Sequence, residues 1–210
     1  MSSPASFFSF CPISLILFNS IHYFSKGRSM SGPASVFVKE LLVPFGEGRH
    51  LEGQVAYPEV PGDIAILLTH PHPKFGGRMT NNVVAALFAA LPLWFRCHSV
   101  LRFNFRGVGC SSGESTWTGW SERDDVRSMA AHLMELLPQQ QGWPPPKRLV
   151  IIGYSFGSAV ACGVAEEIPS CVGTVAISYP AGWSSSLLFS SHYRPLRRST
   201  VPKLFLMGDC

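Results

Sequence analysis

Short apolar runs broken by Gly- and Pro-containing turns recur along the chain from residue 35 onward, and their spacing predicts the elements in order. Residues 36–43 and 51–57 bracket Gly46-Glu47-Gly48 and read as an antiparallel pair of strands. Residues 64–68 read as a buried strand, 82–91 as a helix ending at Pro92, and 99–103 as the next strand. The clearest helix spans 121–137. Its Val126, Met129, Ala130, Leu133, Leu136 and Leu137 fall on one stripe at three- and four-residue spacing, and Ser121 with Asp124 makes an S-x-x-D capping box. Strands follow at 149–152, 172–178 and 204–207, with a helix of small residues over 158–165 after the first of them. An antiparallel start followed by β-α alternation implies an α/β fold: a mostly parallel sheet with helices on both faces. Sites in such sheets gather at the carboxyl ends of the strands.

One strand-to-helix junction carries candidate chemistry. Leu149-Val150-Ile151-Ile152 runs directly into Gly153-Tyr154-Ser155-Phe156-Gly157, and a helix follows. A G-x-S-x-G turn in that setting lifts the serine hydroxyl above the sheet edge, which makes Ser155 a candidate nucleophile. The two glycines let the chain pass close to its neighbours with no Cβ in the way.

Two other carboxyl-end loops stand out. After 64–68 comes His70-Pro71-His72-Pro73-Lys74-Phe75-Gly76-Gly77, whose prolines lack an N–H and limit the free backbone donors to His72, Lys74, Phe75 and the glycines. Acyl transfer through a serine needs two N–H groups facing the developing oxyanion. One belongs to the residue after the nucleophile, here Phe156, and the other comes from this loop. His70 and His72 share a face of an extended chain, but no third ligand is spaced to join them, so a metal is disfavoured. After 99–103, Gly107, Gly109 and Gly113 fall one residue off the dinucleotide fingerprint and no helix follows, so a nucleotide cofactor is disfavoured as well. These glycines read as a loop folding back beside the serine.

Composition adds little beyond this. Of the 210 residues 46% are hydrophobic and 14% charged, as suits a sheet buried on both faces. A net charge of +4, with no basic patch interleaved with aromatics, gives no footprint for nucleic acid. The six cysteines form no C-x-x-C pair and several sit in apolar runs, which favours reduced thiols and a reducing compartment, the cytoplasm. Residues 1–29 differ: they are Ser-rich and free of Asp and Glu, and Pro12, Asn19 and His22 interrupt their apolar stretch. They read as a disordered extension over 1–33 ahead of a domain at 34–210, with organelle targeting through 1–29 as the alternative and no stable membrane span.

The order His-Pro-His-Pro-x-x-Gly-Gly, Arg-Phe-Asn-Phe-Arg-Gly-x-Gly-x-Ser-x-Gly and Gly-Tyr-Ser-Phe-Gly resembles the α/β-hydrolase superfamily, nearest its small members without a large cap domain. The resemblance spans about residues 36–209. It implies a cofactor-free Ser-His-Asp/Glu hydrolase acting on a small-molecule ester, thioester or amide, with Ser155 as nucleophile and Phe156 and His72 in the oxyanion hole. The family order is serine, acid, histidine. Here the last strand runs into Gly208-Asp209-Cys210, and the only histidine after Ser155 is His192, which precedes that strand. Asp209 reads better as a turn residue than as the acid. The acid and base are therefore expected beyond residue 210, with Asp209 and His192 as the alternatives within the chain. The 210-residue form is expected to be weak or inactive, and a non-catalytic binding or regulatory role is the rival reading. A bare apolar edge is expected at 204–207. Trp183, Leu187, Leu188 and Phe189 read either as the rim of an acyl pocket or as one face of a short helix. Arg194, Arg197 and Arg198 read as a solvated basic turn.

Overall fold

A computed structural model describes residues 35–46 and 48–208, with the backbone alone at 183–187. Residues 1–34 and Asp209-Cys210 lie outside the described residues, and with them fall the expectations for the N-terminal extension and for Asp209. Among the described residues no helix is long and apolar enough to cross a membrane.

Seven strands form one sheet: β1 (Val36–Pro44), β2 (His50–Pro58), β3 (Ile64–Thr69), β4 (Ser99–Phe103), β5 (Arg148–Tyr154), β6 (Cys171–Ile177) and β7 (Lys203–Leu206). Their spatial order is β1-β2-β4-β3-β5-β6-β7. The β1–β2 and β2–β4 pairs are antiparallel; every pair from β4 through β3 and β5 to β7 is parallel. This is the expected sheet, antiparallel at its start.

The pleat sorts the side chains. Leu67, Leu101, Leu149 and Ile151 face one core, which also takes Met129, Leu133, Val160 and Phe189. Ile66, Leu68, Val100 and Ile152 face the other, against Val83, Val84 and Phe88 of helix α1 (Asn82–Trp94). Alternate residues of a strand point to opposite faces, so continuous apolar runs mean helices on both sides. Helices α2 (Glu122–Ala131), α3 (Leu137–Gln141), α4 (Phe156–Val164) and α5 (Trp183–Arg198) complete the described helical elements, with short 3-10 turns at Pro73–Phe75 and Ala165–Glu167.

Several local expectations are corrected. Helix α1 does not stop at Pro92 but carries it in its last turn, where the missing N–H removes a single helical bond and Phe95 N–H still closes onto Leu91 O. The 121–137 helix is interrupted: a π turn (His132–Leu136) joins α2 to α3, with the Leu137 N–H reaching back to His132 O. The extra residue lies just ahead of Pro138, whose ring opposes the carbonyl four residues earlier in a regular helix. The capping box does not form. Ser121 has helical dihedrals and no side-chain cap, and the Asp124 carboxylate instead pairs with Arg127. The neighbouring Glu122 carboxylate is buried and accepts from Thr116 N–H (2.6 Å) and Thr116 Oγ–H (2.5 Å), outside the helix. Finally, 183–198 is one helix with a kink at Phe189, so Arg197 and Arg198 lie in its last turn rather than in a free loop.

Candidate active site

The β5–α4 junction is built as a sharp turn. Ser155 has φ 53° and ψ −122°, a left-handed conformation that a side chain rarely adopts. Surrounding structure holds it there. Ser155 N–H donates to Ile177 O on β6 (2.8 Å), while Ser158 N–H (2.9 Å) and Ser158 Oγ–H (2.5 Å) both donate to Ser155 O. The flanking glycines are required by space. A Cβ on Gly153 would lie 2.4 Å from Ser158 Cα, and one on Gly157 would lie 2.5 Å from His70 O. The second approach is fixed by Thr69 Oγ–H, which donates to Gly157 O at 3.0 Å and so ties the end of β3 to the start of α4. Ser155 itself is half-buried, and its Oγ makes no hydrogen bond among the described residues.

Phe156 opens α4, so its N–H belongs to the first helical turn and has no intrahelical acceptor. Beside it lies the His70–Gly77 loop, in which most backbone donors are already used. Phe75 and Gly77 N–H donate to His72 O, Gly76 N–H to Pro73 O, and Lys74 N–H to His72 Nδ1. Of the loop's backbone N–H groups, those of His70 and His72 have no hydrogen-bond partner among the described residues. His72 and Phe156 are neighbours, with their ring centroids 4.4 Å apart.

The two loop histidines are structural in their side chains. His70 Nδ1–H donates to Pro71 O (2.6 Å) and its Nε2 accepts from Phe105 N–H (3.0 Å). Burial drives its pKa down from 6.5 to about 4, so the ring is neutral. His72 Nδ1 accepts from Lys74 N–H (3.1 Å), leaving Nε2–H to donate to Trp117 O (3.1 Å). Burial lowers its pKa too, against the raising pull of its bond to Trp117 and of Glu122. With both nitrogens of each ring committed to backbone partners, neither histidine offers a lone pair to Ser155 or to a metal ion.

His192 is not brought to the serine. It is fully buried on α5, where Nε2–H donates to Thr118 O (2.7 Å). Its ring lies against Gly163, where an added Cβ would meet Nδ1 at 2.6 Å. Gly163 is about two turns along α4 from Ser155, roughly 12 Å of helix. His98 is occupied by Ser99 and Pro144, and His132 is buried in the π turn. Both ring nitrogens of His132 and Nδ1 of His192 are buried without a partner, His50 pairs with Ser112, and no described histidine hydrogen-bonds to Ser155.

The glycine loop after β4 is a brace. Asn104 takes Met79 N–H on its Oδ1 and donates from Nδ2 to Glu52, while Arg106 forms a buried ion pair with Asp125 (2.6 Å). The sequence reading singled out these glycines but missed that brace. A buried charge pair between a loop and a helix has no local signature beyond the residues themselves.

Residues 66–209 match the model of the alpha/beta hydrolase family, and the chain belongs to that family. It is similar to a serine hydrolase without a lid from Xanthomonas campestris, at 25% identity over 87% of both chains with a TM-score of 0.57. It has the fold of an alpha-beta serine hydrolase homologue from Coxiella burnetii, at 21% identity, 87% and 89% coverage and a TM-score of 0.60. A Rickettsia prowazekii protein of unassigned function is 33% identical over 163 residues. That alignment takes in 78% of this chain but only 63% of the relative, so the chain spans less than two thirds of its length.

Proposed function

We propose that this chain carries the nucleophile half of a serine hydrolase acting on a small-molecule ester, thioester or amide. The observation that carries the reading is the strained turn at Ser155 beside the unpartnered N–H groups of Phe156 and His72. In this reading Ser155 Oγ attacks the substrate carbonyl carbon as its proton passes to a base. The carbonyl oxygen becomes an oxyanion facing the two N–H groups, and the alcohol, thiol or amine leaves with that proton. Water then attacks the acyl-enzyme, releasing the acid and restoring the serine.

Base and acid are assigned to sequence beyond residue 210, an assignment supported by the absence of a hydrogen bond between Ser155 and any described histidine and by the backbone partners that hold the rings of His70 and His72. The same observations support a second reading of the 210-residue form as a non-catalytic binding protein. Three buried free thiols, Cys97, Cys162 and Cys171, fit a reducing compartment such as the cytoplasm.

Turnover of p-nitrophenyl acetate tests the proposal. A product that continues past Cys210 is expected to hydrolyse it and to lose at least about 10³-fold of kcat/KM on Ser155→Ala. The 210-residue chain is expected to be slower by orders of magnitude for want of the base. Turnover that Ser155→Ala leaves unchanged would sink the reading.

A further inference from the structure

Beside the candidate oxyanion loop, two aromatic side chains stand in water with no role in the fold. Phe75 is 76% exposed and Trp117 52% exposed. Their ring centroids are 5.9 Å apart at 72°, an edge-to-face pair. Both also touch the His72 ring, at 5.2 Å and 5.5 Å, and that ring lies 4.4 Å from Phe156, the residue after Ser155. A continuous aromatic surface therefore runs from the residue beside the candidate nucleophile outward to the solvent.

Its outer members are held in place. Phe75 ends a single 3-10 turn that is capped by His72 Nδ1 and closed by Gly76 in the left-handed region. Trp117 is tied to the same imidazole by its carbonyl. One neutral histidine ring thus fixes both loops, and the loop carrying Trp117 is fastened again by the bonds from Thr116 to buried Glu122. Because that carboxylate is fully buried, it offers no partner to a cationic ligand at the surface.

We propose that Phe75 and Trp117 form a binding subsite for an uncharged aryl group on the substrate, its carbonyl lying toward Ser155. The proposal rests on the hydrolase reading for what the site does with that substrate, but the binding preference stands without it. Continuity with the candidate oxyanion hole is what selects a small-molecule occupant. An aryl ring laid on this pair gains offset or edge contacts that an alkyl chain of equal length does not make.

The test compares two ketones of equal length, which mimic an ester and are not hydrolysed: 4-phenylbutan-2-one and octan-2-one, with binding to the 210-residue chain followed by saturation-transfer NMR. The phenyl ketone is expected to bind about tenfold more tightly. Phe75→Ala and Trp117→Ala are each expected to lose about threefold of that preference, and the double variant to bring it within twofold of unity. Both rings are exposed, so the variants are expected to keep the parent's circular dichroism; Phe75→Tyr, which keeps a ring, retains the preference. Equal binding of the two ketones, binding of neither, or a preference that survives in the double variant would overturn the proposal. So would Phe75- and Trp117-dependent pelleting with phosphatidylcholine vesicles in the absence of ketone preference, which would make the rim a lipid contact. Ser155→Ala is expected to leave the preference intact. A product continuing past Cys210 whose Ser155 takes no fluorophosphonate, while the ketone preference is present, would thus sink only the nucleophile reading, and the converse result only the subsite.

Discussion

Strands β5 and β7 flank the same neighbour, β6, and carry similar apolar runs, yet they meet different surroundings. Leu149 and Ile151 of β5 are fully buried between β3, β6 and helices on both faces. Leu204, Phe205 and Leu206 of β7 are 54%, 42% and 43% exposed, and β6 is the strand's one sheet neighbour among the described residues. The difference shows what the serine turn depends on. A strained residue persists only where packing over-determines it. At the end of β5, hydrogen bonds from β6, β3 and α4 do that. At the end of β7 the described residues provide one such bond, from Ser178 N–H to Leu206 O (2.8 Å).

The contrast is broken most severely by filling the space beside the serine. Gly157→Ala puts a methyl 2.5 Å from His70 O and 2.7 Å from Thr69 Oγ1, so β3 and α4 must separate. The expected cost is about 3–5 kcal/mol, enough to deplete folded protein at 37 °C. Urea unfolding followed by circular dichroism measures it; an unchanged midpoint would mean that the two elements are not in contact.

Acid acts on the same region somewhat less strongly. His70 titrates near 4 in the folded chain against an ordinary 6.5, so the unfolded chain binds the proton first. Its contribution is therefore present above pH 6.5 and is lost as the pH falls through about 4, a loss of about 3 kcal/mol. His72, His98, His132 and His192 are shifted down by burial in the same sense. Melting temperatures at pH 7.5 and 4.5 are expected to fall with acid, and His70→Asn to flatten part of that slope. Equal slopes in the parent and the variant would remove His70 from the account.

How much of this was legible from residues alone follows the same divide. The strand, G-x-S-x-G and small-residue helix are contiguous, so Ser155 and its turn were readable from local pattern. The sheet was readable too, because continuous apolar runs leave few other arrangements. Partners set by tertiary packing were not. His192 settles against α4 because Gly163 leaves room for its ring, a fit between residues 29 positions apart. The S-x-x-D box did not form because Asp124 pairs with Arg127, and Glu122 found Thr116 across a loop. Apolar runs gave β5 and β7 the same signal, and the bare edge at 204–207 was expected from the family's chain order rather than from the runs themselves.

The smallest expected effect sharpens the comparison from its bare side. Leu204 and Leu206 share one face of β7, so Leu204→Lys with Leu206→Lys places two charges on an exposed apolar edge. Stability is expected to stay within about 0.5 kcal/mol per substitution, while self-association measured by light scattering falls. A collapse in stability would mean that this face is covered.

The central claim is that the turn after β5 presents a reactive serine. A fluorophosphonate probe applied to a product continuing past Cys210, with the adduct located by peptide mass spectrometry, addresses it most directly. The expected result is a single adduct on Ser155 that disappears in Ser155→Ala. An adduct on another residue, or labelling undiminished in Ser155→Ala, would contradict it.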